Sequence, residues 1–155
     1  MYTREELKLL RIEFWELFAK RCEIVPELQG RKKNWILHRT KLSNVALRFE
    51  TGRENAQVMI EISHKNEDKR LETYMALEKY RTLLEDGFKD GLTWDYTYTR
   101  FDSGQKVCRI YTTLKGVDFH RKNHWPDIFN FFIENMLKLE SNFIEIRDLV
   151  KEEIK

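Results

Sequence analysis

Two alternating runs, Asn44–Thr51 and Ala56–Ser63, flank the turn signal Thr51-Gly52-Arg53-Glu54-Asn55. In the first, Val45, Leu47 and Phe49 oppose Ala46, Arg48 and Glu50. In the second, Val58, Ile60 and Ile62 oppose Gln57, Met59, Glu61 and Ser63. Successive strand side chains point to opposite faces, so each run has one apolar side and one mainly polar side. A turn this short returns the chain antiparallel. The pair therefore commits the chain to an antiparallel sheet with one buried face, which other elements must cover.

The covering elements are legible on either side. Thr3 and Glu6 have capping-box spacing, and Leu7, Leu10, Phe14, Leu17 and Phe18 then recur at helical spacing, predicting a helix to about Cys22. Pro26 and Gly30 mark a connection, and Asn34–Arg39, with Trp35, is expected as a short strand. A second helix is expected from Asn66 or Asp68 through Leu71, Met75, Tyr80 and Leu84 to Gly87. Leu92–Arg100 reads as a strand with Trp94, Tyr96 and Tyr98 on one face. The turn Asp102-Ser103-Gly104 leads to a last strand, Gln105–Thr113. Pro126 opens a final helical region carrying Ile128, Phe129, Phe132, Ile133 and Met136, with Ser141-Asn142 as a point where it breaks or bends. The expectation is a single α+β domain over residues 1–155, in the order α-β-β-β-α-β-β-α. Its five-stranded, mainly antiparallel sheet carries helices on its apolar face.

A hydrophobic content of 41% supports a folded core in a chain of 155 residues. Charge is balanced overall, 28 Lys+Arg against 26 Asp+Glu, but unevenly spread. Residues 20–53 hold nine basic and three acidic side chains and residues 96–124 hold six and two, whereas 54–95 and 125–155 are net acidic. Surface charge of this kind ordinarily serves solubility. Cys22 and Cys108 have neither metal-ligand nor disulfide-framework spacing. The N-terminal MYTREELKLL has no apolar leader core, and no stretch approaches the ~18 apolar residues of a membrane span. A cytoplasmic protein that does not engage the membrane is expected.

Dinucleotide, P-loop, zinc-protease and serine-hydrolase motifs are absent, so no cofactor and no metal are expected. The sharpest polar group is Glu61-Ile62-Ser63-His64-Lys65 at the end of a strand. A carboxylate, an imidazole and an ammonium so close together can hold an anion or move a proton. Arg48 lies on the corresponding face of the preceding strand, so Glu61, His64, Lys65 and Arg48 form the candidate ligand site. Its plain alternative is a solvated strand end with a Glu61–Arg48 cross-strand pair. The basic segments nominate Arg31, Lys32, Lys33, Arg39, Arg48 and Arg109 as nucleic-acid contacts. Within Lys106–Lys122, the basic residues Arg109, Lys115, His120, Arg121 and Lys122 share the tract with Tyr111, as on surfaces that follow a phosphate backbone.

The element order also resembles the restriction-endonuclease-like core, here in a degenerate form. Those nucleases place an acid on the second strand and Glu-x-Lys on the third, holding Mg²⁺. Glu50 and Glu61 occupy comparable positions, but Ser63 stands where the lysine belongs.

Phe14-Trp15, Asn34-Trp35, Glu61-x-x-His64-Lys65, Arg109-Ile110-Tyr111, Gly116-Val117 and Trp125-Pro126, in that order, resemble the bacterial family called domain of unknown function 4268. The resemblance covers nearly the whole chain. It implies a nucleic-acid or defence context, and no catalytic residues. Three functions are then expected, in decreasing order. The first is a non-catalytic or marginally catalytic binding domain acting near nucleic acid. The second is a protein-interaction or homo-oligomerisation module using the aromatic-rich last helix, and the third a divergent metal-dependent nuclease.

Overall fold

Thr3 caps the first helix, α1 (Arg4–Glu23), and the capping box is complete: Thr3 accepts from the Glu6 amide, and Glu6 accepts from that of Thr3. This computed structural model describes residues 2–29 and 40–154. The strand expected over 34–39 lies outside the described residues, as do Arg31, Lys32, Lys33 and Arg39. After a short 3-10 turn (Pro26–Leu28) come β1 (Val45–Thr51), β2 (Asn55–Ile62), α2 (Glu67–Lys79) and α3 (Arg81–Leu84). β3 (Thr93–Thr99), β4 (Lys106–Lys115), a second 3-10 turn (Lys122–His124) and α4 (Trp125–Glu153) complete the chain.

The described strands make one four-stranded sheet in the order β1-β2-β4-β3, every neighbouring pair antiparallel. The α+β class is as expected. Five strands and a restriction-endonuclease-like core are not supported: among the described residues only these four strands pair. The long connection through α2 and α3 brings β3 in as an edge strand hydrogen-bonded to β4 alone.

The alternation of β1 and β2 holds. Val45, Leu47, Val58, Ile60 and Ile62 are buried against the helices, and Phe49, half-buried, packs against Trp15, Phe18 and Phe132. Each such side chain contributes ~1.5–3 kcal/mol of burial. Phe14 is fully buried where α1 meets α4, among Trp15, Phe119, Trp125, Phe129 and Phe132. The aromatic residues of α4 are thus consumed by the core.

Two elements depart from the expected pattern. The second helix divides at Tyr80 into α2 and α3. The last helix runs unbroken through Ser141-Asn142. Asn142 does not disturb α4 because its side chain reaches away from it, Nδ2 donating to the carbonyls of Leu84 (2.9 Å) and Asp86 (2.8 Å). Asn142→Ala strands both buried-side acceptors and should lower unfolding free energy by about 1–3 kcal/mol. A urea titration of the two proteins measures it, and an unchanged midpoint would show that water replaces the amide.

Candidate functional site

The sheet face opposite the helices is not the solvated surface that alternation implies. Met59, Glu61, Val107 and Arg109 on this face are all buried. Met59 sits in register between Arg48 and Tyr111, and Glu61 between Ala46 and Arg109. The buried charges are organised around one carboxylate. Glu61, 2% exposed, accepts at Oε1 from Arg48 (2.8 Å) and from Arg100, and at Oε2 from Arg109 Nε (2.9 Å). Arg109, 4% exposed, continues to Glu50 (3.1 Å). Its guanidinium lies 3.9 Å from the centre of the Tyr98 ring, a cation–π contact.

Local structure explains how these groups meet. Arg48 and Glu50 come from β1, Glu61 from β2 and Arg109 from β4, all at positions the antiparallel register brings to one face. Arg100, just beyond β3, folds back from the β3–β4 turn to reach Glu61 and also donates to Gln105 (3.1 Å). Tyr98 arrives by a register shift. Trp94 and Tyr96 pack on Tyr74 of α2, as strand alternation requires. Between Asp95 and Tyr98, however, the pairing with β4 slips. Asp95 Oδ1 accepts from the Thr97 amide (3.0 Å) and removes that donor from the ladder. Beyond the slip Tyr98 faces Arg109 rather than the helices, which corrects its expected grouping with Trp94 and Tyr96.

Burial works to raise the pKa of Glu61. Hydrogen bonds and charge from Arg100 and Arg48 outweigh it and hold the carboxyl below its ordinary value. Glu61 is therefore an anion at neutral pH, spent on neutralising guanidiniums rather than poised to take a proton.

A cleft of about 390 Å³ opens above this network. Arg48, Glu50 and Arg109 line it from the sheet, with Tyr98, Arg100, Phe101 and Asp102 from the β3–β4 arm; Arg11 and Thr51 complete the wall. Phe101 is fully exposed at the tip of the turn. A larger groove of about 800 Å³ runs between the end of α1 and α4 past Ile24, Ile133 and Leu137. Its charged side chains, Arg21, Glu27, Glu134 and Lys138, are not drawn into a shared ion-pair network like that around Glu61, so the smaller cleft is the candidate site.

Glu61 and Arg48 thus meet as expected, and Arg109 joins them. His64 does not. It follows the end of β2 on the α2 side, buried, with its carbonyl accepting from Arg70 (2.8 Å) and Nδ1 without a partner. Burial, then the charges of Lys69 and Arg70, lower its pKa, the reverse of what pairing with Glu61 would do. Lys65 is exposed in the turn before α2. Arg100 and Phe101 are not among the residues the sequence nominates; their signal is the basic and aromatic pair directly before the Asp102-Ser103-Gly104 turn.

Further along the tract, Lys122 pairs with Glu13 of α1 (2.9 Å), and His120 packs edge-on to Tyr2. The tract is therefore not one continuous basic stripe. No group of three or more His, Cys, Asp or Glu side chains among the described residues is arranged to hold a metal ion. Glu50 and Glu61 are held by arginine instead. Cys108 is buried on the apolar face with its thiol pushed up to about 11 by burial, and so behaves as a small core residue. No helix of the described residues is long and apolar enough to cross a membrane.

An α+β domain with an arginine-rich cleft on its sheet is the class the fold and site define. The chain belongs to the family described as "Domain of unknown function (DUF4268)", whose model matches residues 10–147. No curated protein and no solved structure matches it.

Proposed function

We propose that the protein is a non-catalytic binding domain that holds single-stranded nucleic acid in the Arg48–Arg100–Arg109 cleft. One observation carries this reading: Phe101 stands fully in solvent at the lip of a cleft lined by arginines. A lone exposed apolar side chain is ordinary on a protein surface. Its company is what matters. An unencumbered aromatic face beside guanidiniums is the pairing that stacks a base while neutralising the neighbouring phosphate, worth ~1–3 kcal/mol per stacked base. Duplex DNA hides its base faces, so a strand with unstacked bases is the fitting partner. Catalysis is not part of the reading, because the carboxylates that a metal-dependent hydrolase would use are tied to arginine.

Fluorescence anisotropy with a labelled single-stranded oligonucleotide tests it. Binding at about 50 mM salt should weaken on a log–log plot with a slope of roughly −0.7 to −1.4, for one or two neutralised phosphates. Phe101→Ala, on an exposed turn, should reduce affinity about fivefold to a hundredfold with no loss of stability. Absence of binding to both DNA and RNA strands at low salt would refute the proposal.

A further inference from the structure

The charge balance of the cleft points to a more specific ligand group. Three guanidiniums, those of Arg48, Arg100 and Arg109, face two carboxylates, Glu50 and Glu61. Three against two leaves one positive charge; at the rim, Arg11 and Asp102 offset each other. The distribution is uneven as well. Buried Arg109 is matched on both sides, by Glu61 and Glu50. Arg48 and Arg100 share a single oxygen, Glu61 Oε1, so two cations converge on one acceptor that Arg109 has already partly satisfied through Oε2.

Donors remain unspent on the same two side chains. Arg48 uses one nitrogen on Glu61 and keeps the rest of its guanidinium available, with the side chain 42% exposed. Arg100 spends one nitrogen on Glu61 and one on Gln105; its Nε is buried without a partner among the described residues, and what it offers the cleft is the remaining hydrogens of its two terminal nitrogens, on a side chain 24% exposed. Two adjacent guanidiniums with N–H groups to spare suit an acceptor with several oxygens. An internal phosphodiester offers them two free oxygens; a terminal phosphomonoester offers three, enough to engage both side chains at once. A cleft of about 390 Å³ lies near the lower end of ligand-sized cavities, enough for one nucleotide and not for a run of them.

We infer that the cleft recognises a phosphomonoester at the end of a strand, with Arg48 and Arg100 on the phosphate and Phe101 against the terminal base. This rests on the strand-binding reading above and assigns which part of the strand the cleft takes. Glu61 is then a positioning residue that holds both arginines in place.

The test uses one single-stranded oligonucleotide with an internal fluorophore in three forms: 5′-phosphorylated, 3′-phosphorylated, and hydroxyl at both ends. Under equal salt, at least one phosphorylated form should bind roughly ten to a hundred times more tightly than the hydroxyl form. Which form gains identifies the end. In Arg48→Gln that advantage should disappear, the phosphorylated and hydroxyl forms binding alike. A nucleoside monophosphate that competes as strongly as the phosphorylated strand upholds the phosphomonoester but assigns it to a free nucleotide. Equal binding of all three forms to the wild-type protein overturns the inference and leaves strand binding standing. No binding of any form overturns both.

Discussion

Glu61→Gln should destabilise the fold by about 3–5 kcal/mol, the usual cost of removing one partner from a buried ion pair. The carboxylate is 2% exposed and is shared by three guanidiniums, one of them only 4% exposed. Without it Arg48 and Arg100 lose their common acceptor, and Arg109 keeps Glu50 alone. A urea midpoint measures the loss, and an unchanged midpoint would mean the arginines need no counter-ion here. The double variant Glu61→Gln/Arg109→Gln should recover part of it, because the most buried cation leaves together with its anion.

The same variant predicts a pH dependence. The folded state holds the Glu61 carboxyl below its ordinary value, so the folded protein binds that proton less readily than the unfolded chain does. Its contribution is complete above the unfolded carboxyl range, about pH 4.3, and is lost as pH falls through the folded pKa. The stability gap between wild type and Glu61→Gln should therefore stay constant above about pH 5 and narrow on acidification. A gap that widened in acid would reverse the assigned sign.

Phe14→Ala should cost about 3–5 kcal/mol and lower Tm by roughly 10 °C, since it empties the junction of α1, α4 and the Phe119 segment. Five aromatic rings lie within 6.3 Å of the Phe14 centroid, and they cannot all move in to fill the gap. Leu9→Ala, on the exposed side of the same helix, is the control and should change Tm little. Similar Tm values for the two variants would show that α1 is not anchored through Phe14.

The parts of this molecule that could be read from its sequence are those governed by local period. β1, β2 and the capped first helix follow from alternation, a glycine turn and a capping box, each a short-range cause. So does the meeting of Arg48 with Glu61, which needs only register. What could not be read depends on groups brought together from far along the chain. Arg100 reaches Glu61 across 39 residues, and no spacing rule foretells an arginine folding back over its own sheet. His64 lies three residues from Glu61 and meets it only if the chain turns between them; the end of β2 instead sends the two to opposite sides. The unbroken α4 was obscured for the same reason, since Asn142 is harmless only because Leu84 and Asp86 lie in front of it.

The slipped register in β3 divides the duties of a seven-residue strand. Its first half, through Trp94 and Tyr96, belongs to the hydrophobic interior against Tyr74. Its second half, through Tyr98, belongs to the cleft. In a regular strand these three aromatics would share one environment, and selection on any one would constrain the others. Here the cleft-facing end can drift without repacking the interior. Divergence of the side chains that line the cleft therefore need not be accompanied by a change in the fold beneath it.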